Sequence, residues 1–411
     1  MSLIFGYDEL QGNGNPITNA FEFKNNISPI NLGYAGYRTD ATVRDNELNL
    51  VKNKFSTCHR THSHQLSHFF DIKIKKVDQI KEKYYYVIDV FTHDFWKHSD
   101  AKHPTNISKQ AITDIRSGKA KILVLFPKEC LRNHDDISGL LNTWVANYNL
   151  PHKSIVLVSG NYSYGDSIEK DKCISYIPFS MWENEFKNMY NIEATQEFND
   201  AIINKKSREK VYLNYNRRAR YARCKLVYDL KAKNVFKHGF VSLGKHAGED
   251  NRNIPIDFFN ELPITFDDTD LEINHAVELV KKDFLDSYVS LVSETSVEVN
   301  EIFQTEKIFK PIVTLHPFIV LASPGFLKQM KKFRYKTFSK WFDESYDLEI
   351  DLDTRIGMIV KEIKKLVLKS DLELQNMLLD MLPTLRYNLN TFLRRTKQRT
   401  FQKQLEVELW K

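Results

Sequence analysis

Three stretches of this chain, YYYVIDVF (Tyr84 to Phe91), AKILVLFP (Ala120 to Pro127) and SIVLVSG (Ser154 to Gly160), are near-continuous runs of apolar, β-branched and aromatic residues. A strand with one wet face alternates polar and apolar positions, whereas these do not, so each is expected to be buried on both faces. Between them, ISKQAITDIRSG and DDISGLLNTWVANYN carry apolar residues at helical spacing. A strand, a helix and a second buried strand in succession fit a parallel sheet whose crossovers are helices, because parallel neighbours cannot be joined by a tight turn.

The same alternation returns downstream. KVYLNYN (Lys210 to Asn216) is followed by the helical ARYARCKLVYDLKAKN and by GFVSLG; then come DSYVSLVSE, the helical TEKIFKPIVTL, HPFIVLAS (His316 to Ser323) and PGFLKQMKKF. The chain has 411 residues, and single cores rarely grow past about 250 residues. The expectation is therefore an α/β protein of two Rossmann-like domains facing a cleft, with ligands at the carboxyl ends of the strands. The boundaries read as an N-terminal α/β domain over residues 1–185, a charged linker over 186–207, a second α/β domain over 208–350 and C-terminal helices over 351–411, which are expected to pack back onto the first domain. Turn-rich pieces such as GNGNP make about the first 70 residues look like loops on the first domain.

Composition narrows the class. With 42% hydrophobic and 27% charged residues the chain is expected to fold. No apolar run approaches the ~20 residues that span a bilayer, and MSLIFGYDELQGNG lacks the pattern of a secretory leader, so a cytoplasmic protein without a membrane span is expected. Cys58, Cys130, Cys173 and Cys224 are scattered, which offers neither a disulfide framework nor a CxxC zinc site. CHRTHSHQLSHFF gathers Cys58, His59, His62, His64 and His68, with His64 and His68 four apart, but no second ligand pair follows, and no metal is assigned. The net charge of +6 favours anionic partners: nucleotide diphosphates, nucleic acid or acidic glycans. No P-loop lysine motif, GxGxxG after a strand, GxSxG elbow or HExxH occurs, which argues against the commonest NTPase, dehydrogenase, hydrolase and zincin readings.

The segment FQTEKIFKPI (Phe303 to Ile312) places Glu306 and Lys307 where a helix opens after an apolar strand. Thr305 as a cap with an acidic first turn needs no ligand. Equally, the unpaired N–H groups of a helix start after a strand form an anion site, to which Lys307 adds a full charge. Local chemistry leaves both readings open.

Over a longer span, YVSLVSETSVEVNEIFQTEKIFKPIVTLHPFIVLASPG (Tyr288 to Gly325) resembles the donor-binding motif of the α1,3-fucosyltransferase-like glycosyltransferases. That family reads as a strand, Phe-Glu-Asn-Ser, a loop, Val-Thr-Glu-Lys opening a helix, and a strand ending in a Gly-Ser-Pro turn. Here Ser293-Glu294-Thr295, Thr305-Glu306-Lys307 and Ala322-Ser323-Pro324-Gly325 stand in those places. The family's arginine, seven residues before a leucine on a helix after an Asn-rich strand, is matched by Arg223 and Leu230 after VYLNYN. The likeness covers about 120 residues, Lys210 to Lys332; its TEK element is short, and the order of the motifs in their strand and helix context carries it.

The resemblance implies a glycosyltransferase of GT-B architecture without an obligatory metal. Arg223 and Lys307 would neutralise a nucleotide diphosphate, Glu306 would bond hydroxyls of the donor sugar or ribose, and Glu294 would orient the loop. Positioned cations stabilise the charge that collects on a diphosphate as it leaves. The first motif departs from the family and the loop before Thr305 is longer, so the donor's identity does not carry over. Arg217 and Arg218 have no family counterpart but lie at a strand end and are expected to share the phosphate role. FRYKTFSKWFDESYD (Phe333 to Asp347) is open between cleft lining and a core turn; its ending is similar to those of phage and marine microbial glycosyltransferase-like proteins.

A catalytic base would come from the first domain, beyond the likeness. Glu129, after AKILVLFP, and His93 and Asp94, after YYYVIDVF, are the candidates, because both positions follow strand carboxyl ends. The expected reaction is inverting transfer of a sugar from a GDP- or UDP-linked donor to a hydroxyl, with no resident cofactor. The acceptor reads as either a glycan or hydroxymethylated phage DNA, the basic tail TFLRRTKQRTFQKQLEVELWK favouring nucleic acid. The alternative is a non-catalytic GT-B-like protein that binds nucleic acid.

Overall fold

The computed structural model describes residues 2–8, 62–90, 107–132, 137–164, 173–189, 195–205, 207–245, 253–266, 279–395 and 399–411. These fall into two compact α/β units, one formed by the described residues up to 181 with 399–411, the other by those within 182–395.

The first unit holds a six-stranded, wholly parallel sheet. Its strands are β1 (Leu3–Tyr7), β2 (Ile72–Lys76), β3 (Tyr84–Asp89), β4 (Ala120–Phe126), β5 (Ile155–Ser159) and β6 (Ile174–Pro178), in the order β2-β1-β3-β4-β5-β6. The lack of polar alternation in the strand sequences has its reason in two cores. Tyr84, Tyr86, Ile88, Ile122 and Val124 enter one, around Trp144, while Tyr85, Val87, Leu123 and Leu125 enter the other with Phe5. Successive side chains point to opposite faces, and both faces are covered.

Of two features of this unit, the first was not expected from the sequence, whereas the second, a C-terminal helix packed back onto the first domain, was. The residues read as introductory loops include β1, which lies inside the sheet between β2 and β3; five residues, LIFGY, are too short a run to register as a core strand. The helix Thr400–Trp410 also belongs here, its Phe401, Leu405 and Leu409 filling the second core. Phe401 stacks on Phe179 at a centroid distance of 4.0 Å, and the Tyr85 hydroxyl donates to the Leu405 carbonyl at 2.7 Å.

The second unit contains β7 (Lys210–Asn216), β8 (Gly239–Leu243), β9 (Ser287–Ser293) and β10 (Phe318–Leu321), again all parallel, in the order β10-β9-β7-β8. The charged passage before β7 includes the helices Trp182–Met189 and Thr195–Asn204, and the tail supplies Leu352–Val367 and Asp371–Arg395. From β7 the chain moves outward to β8, and from β9 outward on the other side to β10. The winding direction therefore reverses between β7 and β9, and the loops leaving their carboxyl ends diverge. In open α/β sheets such a reversal opens the crevice in which ligands bind. No helix among the described residues is long and apolar enough to cross a membrane.

Candidate functional site

The loops at that reversal and the first turns of the helices that follow them carry all six residues expected to grip the donor. β7 ends at Asn216 and runs through Arg217, Arg218 and Arg220 into the helix Tyr221–Ala232, with Arg223 on its first turn. β9 ends at Ser293, continues as Glu294 and Thr295, and reaches the helix Glu306–Val313.

Arg223 joins the two loops. Its Nη2 donates to the carbonyls of Ser293 and Glu294 at 3.4 and 3.3 Å, and its Nη1 to the carbonyl of Arg218 at 3.3 Å. The side chain is buried, yet its hydrogen bonds go to main-chain oxygens and no carboxylate pairs with it among the described residues. Burial, aided by Arg220 and Arg218 against Glu294 and Glu306, pulls the guanidinium down to about 10, still charged at neutral pH. A buried cation costs free energy unless an anion accompanies it.

Glu294 closes the far side of the loop. It accepts from the Thr305 hydroxyl at 2.5 Å, and from the N–H groups of Thr305 and Thr295 at 3.3 Å each. Burial pushes its carboxyl up, against the opposing pull of Lys307 and Thr305. Thr305 caps the helix in extended conformation and accepts from the Lys307 N–H at 3.4 Å. Lys307 turns its ammonium back over the cap, 2.6 Å from Glu306 Oε1, 3.2 Å from Thr305 Oγ1 and 3.4 Å from Thr295 Oγ1. Burial works against ionised Glu306, but Lys307, Lys310 and the helix start outweigh it and hold the carboxyl below its usual range. The cap of the ligand-free reading is thus present, and the same cap fixes the side chains of the anion-site reading.

Arg217 and Arg218 are exposed at the same strand end, and Arg220 Nη1 reaches the Thr295 carbonyl at 3.2 Å. Gly244, just past β8, lets the Arg217 backbone pass: an added Cβ would fall 1.8 Å from the Arg217 carbonyl oxygen. Sequence reasoning missed the amides beneath. Asn214 Nδ2 donates to the Leu291 carbonyl at 2.6 Å and to Ser293 Oγ at 3.2 Å, and Asn216 Nδ2 donates to Asn214 Oδ1 at 2.5 Å. Asn216 Oδ1, buried at the end of β7, has no hydrogen-bond partner among the described residues. Polar asparagines in a strand buried on both faces were the available signal, since such groups are kept only where they are bonded.

Five cations, Arg217, Arg218, Arg220, Arg223 and Lys307, therefore lie on two loops and the helix starts that follow them, together with two carboxylates, Glu294 and Glu306. No protein-family model and no curated protein matches this chain. What the site can do is therefore argued from its chemistry: excess positive charge and helix-start donors suit a diphosphate, and a carboxylate beside them can accept sugar hydroxyls.

The segment Phe333 to Asp347 behaves as core and turn. Asp347 accepts from the N–H groups of Leu327 and Lys328 at 2.9 and 3.2 Å and so caps the helix Phe326–Lys332, while Glu344 accepts from Phe338 N–H at 2.6 Å.

In the first unit, Glu129 follows β4, half-buried, and its main-chain oxygen accepts from Gly160 N–H at 3.1 Å. His93 and Asp94 lie outside the described residues, as do Cys58 and His59. The helix His62–Phe69 carries His64 and His68. His62 is buried with Nδ1 3.4 Å from the Leu125 carbonyl and 3.9 Å from Asp89 Oδ1, and burial with nearby Lys128 lowers its imidazole to about 3. No group of three or more potential metal ligands forms among the described residues.

Proposed function

We propose that this protein is a glycosyltransferase of the GT-B kind, which transfers a sugar from a nucleotide-diphosphate donor to an acceptor hydroxyl. The observation that carries the reading is Arg223: a buried guanidinium at the sheet's topological reversal, bonded to carbonyls of both loops and with no carboxylate hydrogen-bonded to it among the described residues. A bound diphosphate would supply the missing charge. In this reading Arg223 and Lys307 hold the phosphates, with Arg217 and Arg218 at the rim, Glu306 accepts donor hydroxyls, and Glu294 orients the loop. Developing charge on the departing diphosphate is met by cations already in place, so stabilisation requires no reorganisation at the moment of bond cleavage.

Inversion by direct displacement belongs to the proposal, with Glu129, Asp94 or His93 of the first unit as the base that deprotonates the acceptor. A glycan or hydroxymethylated DNA is the acceptor. The test is a screen of nucleotide sugars for release of UDP or GDP by the full chain, with and without hydroxymethylated DNA, and with Lys307→Ala as control. The expected result is release from one donor class that Lys307→Ala lowers at least about tenfold, the loss of one charge-assisted contact. Equal activity of the variant would remove Lys307 from the site, and turnover of no donor would leave the nucleic-acid-binding alternative.

A further inference from the structure

At the opposite end of the first unit's sheet, the amino ends of β3, β4, β5 and β6 border a cleft of about 900 Å³. Among the described residues six lysines line it, Lys81, Lys83, Lys119, Lys121, Lys153 and Lys411, against one carboxylate, Glu408. The strand register explains the gathering. Tyr84 pairs with Ala120 and Ile122 with Ile155, so Lys83, Lys119 and Lys121, and Lys153 occupy the starts of three adjacent strands. At about 4.8 Å between strands they span roughly 10 Å.

Ordinary structural duties account for part of the cluster. Lys119 donates to Asp114 Oδ2 at 3.1 Å, Lys153 donates to the Ile174 carbonyl at 2.6 Å, and Lys411 follows a helix whose terminal carbonyls attract cations. They do not account for Lys121. Its side chain is only 13% exposed, inside the cleft wall, and burial together with Lys411 and Lys83 pushes its ammonium down against the pull of Glu408. Glu408 is already shared: it accepts from Ser175 Oγ at 2.5 Å and from Lys411 at 2.9 Å, with Lys121 at 3.7 Å. One carboxylate thus serves a hydroxyl and two ammonium groups, and Lys81 and Lys83 add their charge to the same concave surface. Low-dielectric walls lined by one sign of charge concentrate counter-ions of the other sign.

We propose that this cleft binds a multiply phosphorylated anion. Its volume suits a ligand of small-molecule size, and lysines act as point charges toward phosphate from several directions. The site is separate from the loops around Arg223 and does not depend on the sugar-transfer reading. Either a free polyphosphate or a stretch of nucleic-acid backbone presents this chemistry.

Titration calorimetry of the full chain with sodium tripolyphosphate and with a twelve-nucleotide single-stranded DNA tests the assignment. Binding of at least one probe is expected, weakened about tenfold or more by Lys81→Gln combined with Lys83→Gln, two substitutions at the cleft's mouth. Glu408→Gln, which keeps an acceptor for Ser175 while removing the opposing charge, is expected to tighten binding severalfold. Because the loops around Arg223 also hold phosphate in the sugar-transfer reading, Lys307→Ala is expected to leave unchanged the component of binding that the double variant loses. Tighter binding of DNA at equal phosphate concentration, with a salt slope that falls by about two in the double variant, identifies a strand backbone as the source; equal or tighter binding of tripolyphosphate identifies a free polyphosphate. The proposal is overturned if neither probe binds at millimolar concentration, if the double variant binds as the parent does while its thermal transition matches the parent's, or if Lys307→Ala abolishes binding.

Discussion

Glu294, one residue beyond β9, accepts the hydroxyl of Thr305 at 2.5 Å and its N–H at 3.3 Å, eleven positions along the chain. The contact pins the loop at both ends and sets the helix start, and with it Glu306 and Lys307, against the strand end. Thr305→Ala removes the cap acceptor and the hydroxyl donor together. A lost cap costs about 1 kcal/mol, and loss of the hydroxyl bond to the buried carboxylate adds about 1–3 kcal/mol. Urea denaturation is expected to show a lower midpoint at unchanged slope, by about 2 kcal/mol or more; a difference below about 0.5 kcal/mol would refute the coupling.

Arg223 bonds carbonyls of both loops through two nitrogens, which a single ammonium cannot reproduce. Arg223→Lys is therefore expected to lose at least about tenfold in affinity for UDP or GDP, nearly as much as Arg223→Met. Calorimetry against both nucleotides reads the effect. Full rescue by lysine would show that charge alone suffices and that the fork geometry is irrelevant.

Gly244 is needed for close approach. With an added Cβ only 1.8 Å from the Arg217 carbonyl oxygen, Gly244→Ala must displace backbone rather than a flexible side-chain tip. The expectation is destabilisation of about 1–3 kcal/mol together with weaker nucleotide binding, because Arg217 and Arg218 move with that backbone. Unfolding curves and nucleotide titrations check the two halves; a variant as stable as the parent would contradict the close packing.

His316 is buried, with Nδ1 2.7 Å from Ser290 Oγ and Nε2 2.8 Å from the Ser287 carbonyl, and burial lowers its imidazole to about 3. The neutral ring donates from Nε2 and accepts at Nδ1. Because the folded-state pKa lies below the unfolded value of about 6.5, the unfolded chain binds the extra proton first. The contribution of this group is complete above pH 6.5 and is lost as pH falls from there toward about 3. In that window stability is expected to drop by up to about 1.4 kcal/mol per pH unit for this proton. His316→Gln should lose that part of the slope between pH 6.5 and 4.5, and an unchanged slope would refute it.

Asp347 carries the opposite sign. Burial raises its carboxyl to about 6, although the N–H groups of Leu327 and Lys328 oppose the rise. A folded-state pKa above the unfolded one means that the folded chain holds the proton longer. This contribution is present below about pH 4 and is lost as pH rises through about 6. Asp347→Asn keeps an acceptor for the helix start and is expected to remove that loss, so its stability relative to the parent rises between pH 4 and 7. Melting curves across that range decide it; a relative stability that stays flat would show that Asp347 titrates near its ordinary value.

The sequence by itself determined the elements of greatest length and burial. Tyr84–Asp89, Ala120–Phe126 and Ile155–Ser159 read as buried parallel strands because adjacent residues feed two different cores, which removes polar alternation from the chain itself. It also determined the helix start at Glu306, where the cap, the acid and the lysine are all local. Only tertiary structure decided the rest. β1 is five residues long and acquires its place from β2 and β3, and the final helix joins the first unit through Phe401, Leu405 and Leu409, contacts across hundreds of residues that no local periodicity encodes. The strand order β10-β9-β7-β8 brings Arg223 to the carbonyls of Ser293 and Glu294, and the order β3-β4-β5 brings four of the six cleft lysines together. Side-chain type is written in the chain, but which charges share a crevice depends on strand order, and strand order is fixed by packing between distant segments.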